Sequence, residues 1–203
     1  MFTPEAFEER SRQVLYDQKW KKFLRRAGIF RYLPFVDFVL AAGSMATGEV
    51  HRDSDFDVIL GVRQGRIFTA RFIAVALLDA FRWRRKKLSH HEAARDMICL
   101  NHFVTERAYR LSPPHNDYWI NLYRHLIPIY GDKRKIRQFF HINGDWIGAF
   151  PENLDDLRYK DREPSIFQRT IEFLLRSAFG VKTEIFLKKF QIKKIKRSLR
   201  KYP

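Results

Sequence analysis

Apolar residues recur every three or four positions through Tyr16, Trp20, Phe23, Leu24 and Ala27, the repeat of a helix with one buried face. The spacing predicts a helix over 3–27. Thr3 can cap it, Pro4 suits its first turn, Glu5, Glu8 and Glu9 favour its positive end, and Gly28 can close it. The period then shortens. Phe35–Ala42 and Phe56–Val62 are nearly unbroken apolar runs, and each predicts a strand. Ile67, Ala70, Ala74, Leu77, Leu78 and Phe81 return to helical spacing and predict a long helix over 66–87, followed by a third strand over 97–105.

From Ser112 the alternation stops, and Pro113-Pro114 marks the break. Tyr118, Trp119, Leu122, Tyr123, Leu126 and Ile127 form an aromatic helical face. Ile136, Phe139, Phe140, Trp146, Ile147 and Phe150 suggest further helical pieces around an Asn143-Gly144 turn. Residues 151–164 read as a polar loop. The tail over 165–201 reads as helix with a break at Gly180 and an apolar stripe of Phe186, Phe190, Ile192, Ile195 and Leu199. The chain is therefore expected to be α/β (α+β). A small mixed sheet with flanking helices spans 1–111, and a helical region with a basic tail spans 112–203.

Composition changes this picture in two ways. With 45% hydrophobic residues among 203, a folded core is expected rather than disorder. A net charge of +16 draws the chain toward polyanions, so nucleic acid or an acidic partner can meet its basic surface. The basic run Arg82–Lys87 and the lysines of the tail concentrate that charge, and a solvated surface is the plainer reading of both. Cys99 is the one cysteine, so no disulfide forms within the chain, and it reads as a small core residue. There is no signal-peptide pattern and no uncharged run long enough to span a bilayer, so a cytoplasmic protein without a transmembrane segment is expected. His90, His91 and Glu92 lack the spacing of a zinc site and read as a polar loop.

The candidate chemistry lies between the first two strands. Gly43 and Gly48 let backbone approach a ligand, Ser44 offers a hydroxyl, and a short helix opening at Met45 would present free N–H groups to a phosphate. Asp55 and Asp57 alternate on one strand, so they share a face roughly 6–7 Å apart along the backbone, where they can converge on a hard divalent cation. His51 and Arg52 stand just upstream and can meet a triphosphate, or simply solvent.

An apolar strand, Gly43-Ser44, a gap of ten residues and Asp55-Phe56-Asp57 entering a second strand together resemble the nucleotidyltransferase superfamily of DNA polymerase beta. The resemblance covers residues 35–62, and 97–105 by arrangement only. It implies Mg2+ on Asp55 and Asp57, and the phosphates of ATP or another nucleoside triphosphate held at Gly43 and Ser44. A nucleoside monophosphate would pass to an acceptor and pyrophosphate would leave. In the family the third strand usually brings another carboxylate. Here Asn101 or His102 takes the expected place, His102 alone can serve as a base, and Asp96 precedes the strand. The competing expectation is a non-catalytic module that binds nucleotide or nucleic acid through a degenerate site of this kind.

Overall fold

The computed structural model describes residues 4–86, 94–148, 154 and 156–201. His90, His91, Glu92, Thr3, Phe150 and the side chain of Leu199 lie outside the described residues.

Helix α1 (Pro4–Ala27) buries Trp20, Phe23 and Ala27 as their spacing requires, together with Lys19. A 3-10 turn over Gly28–Tyr32 leads into β1 (Val36–Ala42), every residue of which is buried. A four-residue helix α2 (Ser44–Thr47) and a loop lead to β2 (Phe56–Val62), antiparallel to β1. Helix α3 (Ile67–Ala80) crosses over to β3 (Ile98–Thr105), parallel to β2. Then come α4 (Asp117–Arg124), β4 (Ile127–Gly131), α5 (Lys133–Ile147), β5 (Lys160–Asp161), α6 (Ile166–Leu175) and α7 (Ala178–Lys201). The five strands form one sheet in the order β3-β2-β1-β4-β5. The expected α+β class, a mixed sheet with flanking helices, is what forms.

Strand alternation divides the core. Val39, Ala41, Val58 and Leu60 face α1 and α3 with Phe23, Phe30 and Leu78. Phe38, Leu40, Ala42 and Ile59 face α4 and α5 with Tyr123, Ile136 and Phe139. Both faces being covered explains why β1 and β2 read as continuous apolar runs rather than alternating ones.

Four local expectations are corrected. Residues 127–131, read as the end of a helical face and its boundary, are strand β4, which pairs with β1. Pro128 cannot continue a helix, and β4 bulges opposite Leu40 where it lies. The loop over 151–164 contributes β5. Helix α3 stops at Ala80 rather than 87; Arg82 has φ +56, and the chain then runs beside β3 through an Arg84–Ile98 bridge. Asn143 and Gly144 form no turn. They lie inside α5, where the Asn143 amide donates to Tyr109 O and Phe139 O at 2.8 Å.

The tail is helical, but it breaks after α6 rather than at Gly180. That glycine lies inside α7, and a Cβ there would collide with the Leu175 carbonyl at the α6–α7 corner. The packed side of α7 is also not the Phe186–Phe190 stripe, since both rings are exposed. Instead Glu184 accepts from the Phe68 and Thr69 N–H groups at the start of α3, at 2.9 and 2.8 Å, and Gln191 donates to Phe68 O. Polar anchoring to backbone sets the orientation of this helix. Among the described residues, no helix is long and apolar enough to cross a membrane.

Candidate active site

Strand β1 ends at Ala42, directly opposite Asp57 of β2. The next residue, Gly43, has φ +63, and a Cβ on it would collide with Asp57 Oδ2. Glycine is therefore required twice here, for the backbone conformation and for the close approach of a carboxylate. The Gly43 carbonyl accepts from Ala46 and Thr47 N–H at 2.9 and 3.1 Å, which closes the corner into α2 and sets Ser44 at its first position.

Asp55 immediately precedes β2 and Asp57 is its second residue, so both lie on the α4–α5 side of the sheet. Parallel pairing places Cys99 of β3 in register with Asp57. One ligand atom from each of Asp55, Asp57 and Cys99 lies within 4.8 Å of the others. Cys99 is thus a half-buried member of the carboxylate cluster rather than a core residue. Burial, then the charges of Asp57 and Asp55, push its thiol up to about 12, so it stands protonated and donates to Asp57. Burial, then repulsion from Asp55, raises the Asp57 carboxyl to about 6, although Cys99 and Arg85 pull it down. Arg85 Nη1 donates to Asp55 Oδ2 at 2.6 Å, and Asn101 approaches Asp57 Oδ1 at 3.5 Å.

A buried ion pair fixes the strands that carry these groups. Lys19 Nζ lies 2.8 Å from Asp96 and donates to the carbonyls of Arg52 and Ser54 at 2.7 and 2.8 Å. Asp96 N in turn donates to Ser54 O, and Phe56 N to Met97 O. The entries to β2 and β3 are thereby tied together one residue before Asp55 and three before Cys99. Asp96 also pairs with Lys22, and its pKa ends lowered because the two lysines more than offset burial. It serves as an anchor for the strands and does not supply a third site carboxylate.

A register shift between Val58 and Ile59 leaves Asn101 as the extra residue in β3 and brings His102 opposite Ile59. The His102 ring stacks on Trp119, with centroids 5.1 Å apart, and burial lowers its pKa. Among the described residues, no hydrogen bond joins His102 to Asp55 or Asp57. His51 and Arg52 are exposed, and Arg52 lines a groove with Arg10 and Arg12 of α1.

The structure therefore brings together Gly43, Asp55 and Asp57, with Ser44 next along the corner, and adds Cys99 and Arg85, neither of which was expected there. A pair of carboxylates with one guanidinium, bonded to Asp55, retains negative charge and offers oxygen donors suited to Mg2+. The thiol is a softer neighbour that a hard ion can leave uncoordinated. No family model, no curated protein and no solved structure matches this chain.

Proposed function

We propose that the chain is a metal-dependent nucleotidyltransferase that moves a nucleoside monophosphate from a nucleoside triphosphate, ATP by default, to an acceptor nucleophile with release of pyrophosphate. The observation that carries this reading is the convergence of Asp55 and Asp57 beside a glycine corner that admits nothing larger. Asp55 and Asp57 would hold Mg2+, which when bound supplies Lewis-acid activation of the α-phosphate and of the nucleophile. Gly43 and Ser44 would position the β- and γ-phosphates against the backbone of the corner. His102, kept neutral by burial, is the candidate to accept the proton of the nucleophile.

The decisive measurement is pyrophosphate release from ATP and Mg2+. Asp55→Ala with Asp57→Ala is expected to lower it by roughly a thousandfold or more, because the whole electrostatic stabilisation of the transferring group is removed. Wild-type protein that releases no pyrophosphate with any nucleoside triphosphate and acceptor fraction would sink the reading.

A second reading is favoured by one observation: the strand position in register with Asp57 carries a thiol, not an acid. Under it the site is degenerate, and the chain binds nucleotide or nucleic acid without turnover. The basic groove lined by Arg10, Arg12, Arg52 and Arg95 would then supply phosphate contacts. Salt-dependent binding of nucleic acid with no metal-dependent release of pyrophosphate would support it.

A further inference from the structure

We infer that Arg85 is the anion-recognition residue of this site: counterion of Asp55 while no divalent cation is bound, and partner of a substrate phosphate once one is. The inference rests on the nucleotidyltransferase reading and deepens it.

The backbone around Arg85 is pinned. Arg85 N donates to Ile98 O at 2.8 Å, and Ile98 N donates to Trp83 O at 2.6 Å, so the segment after α3 adds a short rung beside the start of β3. From that edge the Arg85 side chain reaches past β3 to Asp55 beside β2. The side chain itself is not pinned. It remains 43% exposed, and one Nη1–Oδ2 bond to Asp55 is its only hydrogen bond among the described residues.

Its neighbour shows what a fixed structural arginine looks like here. Arg84 grips Asp79 with two bonds, at 2.9 and 3.0 Å, and is less exposed. Arg85 leaves most of its planar fork of donors unused, and that fork matches a phosphate edge. A divalent cation taking the Asp55 oxygens would compete with the guanidinium for them and repel it. The freed group, still tethered by its backbone to β3, would be neutralised by a phosphate lying against the cation. One side chain would thus cover the carboxylate when no cation is bound and read the charge of what enters.

The test compares wild type, Arg85→Gln and Arg85→Lys in two titrations. One follows Mn2+ alone by electron paramagnetic resonance; the other follows inorganic tripolyphosphate by calorimetry with Mn2+ saturating. Arg85→Gln is expected to bind Mn2+ about three- to tenfold more tightly, because a competing charge is gone. It should bind tripolyphosphate about tenfold or more weakly, because a charge-assisted fork is lost. Arg85→Lys should leave Mn2+ affinity near that of wild type and still weaken tripolyphosphate, and it carries the test if Arg85→Gln does not fold. Unchanged tripolyphosphate affinity, or weaker Mn2+ binding in Arg85→Gln, overturns the inference while wild-type binding keeps the broader reading intact. Wild-type protein that binds neither probe overturns both.

Discussion

Two sets of carboxylates in this fold are neutralised to very different degrees. Asp96 and Glu172 are buried and surrounded by donors. Asp96 is held by Lys19 and Lys22. Glu172 of α6 accepts from Phe35 N at 2.8 Å, Arg63 at 2.9 Å, Gln168 at 3.1 Å and Arg162 at 3.2 Å. Burial pushes both carboxyls up, but these partners more than offset it and both pKa values end lowered. Asp55 and Asp57 stand close together with one half-exposed guanidinium, paired to Asp55, and the Asp57 carboxyl rises to about 6. Surplus cations mark a carboxylate that holds the fold together. Surplus negative charge, maintained at a cost to stability, is what the proposed metal-binding role asks of the second pair.

The largest effect should come from the most surrounded carboxylate. Glu172→Ala leaves the Phe35 N–H, two guanidiniums and a buried Gln168 without their acceptor, and should cost about 3–5 kcal/mol in urea unfolding. Phe35 has φ +63, and its backbone is held by Glu172 on one side and by Arg63 N on the other. The loss should therefore reach the start of β1. A change below about 1 kcal/mol would show that neutralisation by many donors does not identify a structural acid here.

Lys19→Met should cost somewhat less, about 3 kcal/mol, since Lys22 still faces Asp96. Its second consequence sharpens the comparison. With the Lys19 bonds to the Arg52 and Ser54 carbonyls gone, the entry to Asp55 keeps only its backbone ties to Asp96 and Met97, so under the proposed reading pyrophosphate release should fall together with stability. A variant that loses stability and retains full activity would separate the anchor from the site.

The sequence signals follow the same division. Gly43, Ser44, Asp55 and Asp57 were legible because strand alternation and the ten-residue gap are local properties of the chain. Cys99 was not, because its place in the cluster comes from the parallel register of β3 on β2, which no spacing within either strand encodes. Arg85 was visible as part of a basic run. Its role depends on α3 ending at Ala80 and the chain turning back through Arg82, where the apolar period still suggested helix. Strand β4 is five residues long, and a short apolar run of that length carries too little periodicity to separate strand from helix end. Lys19 lay on a predicted helix in a run of cations, and only the fold shows that it is the one turned inward.

The pH dependence of stability distinguishes the two sets directly. For Asp96 and Glu172 the folded pKa is depressed, so their contribution is present above the unfolded value and lost as pH falls through the folded one. Asp57 has the opposite sign. Its pKa is raised from 3.8 to about 6, so the folded state binds the extra proton and stability falls as pH rises across that interval. In the presence of a chelator, Asp57→Asn should remove this slope and gain about 2 kcal/mol at pH 7.5 relative to wild type. Paired urea titrations at pH 5 and pH 7.5 read the difference, and equal slopes in wild type and variant would contradict a strained Asp57.

The smallest effect should come from an acid that belongs to neither set. Asp145 accepts two bonds from Arg110, at 2.9 and 2.7 Å, a geometry as good as any in the molecule. Both side chains are more than half exposed, so water solvates each ion nearly as well when the partner is removed, and salt screens what attraction remains. Asp145→Ala should leave the thermal midpoint unchanged within error and, under the proposed function, should not alter pyrophosphate release. Arg110 would keep its bond to Ile142 O, so the loop before α4 stays attached to α5. If this variant instead lost as much stability as Glu172→Ala, bond count rather than burial would govern the carboxylates of this fold, and the contrast between the two sets would lose its physical basis.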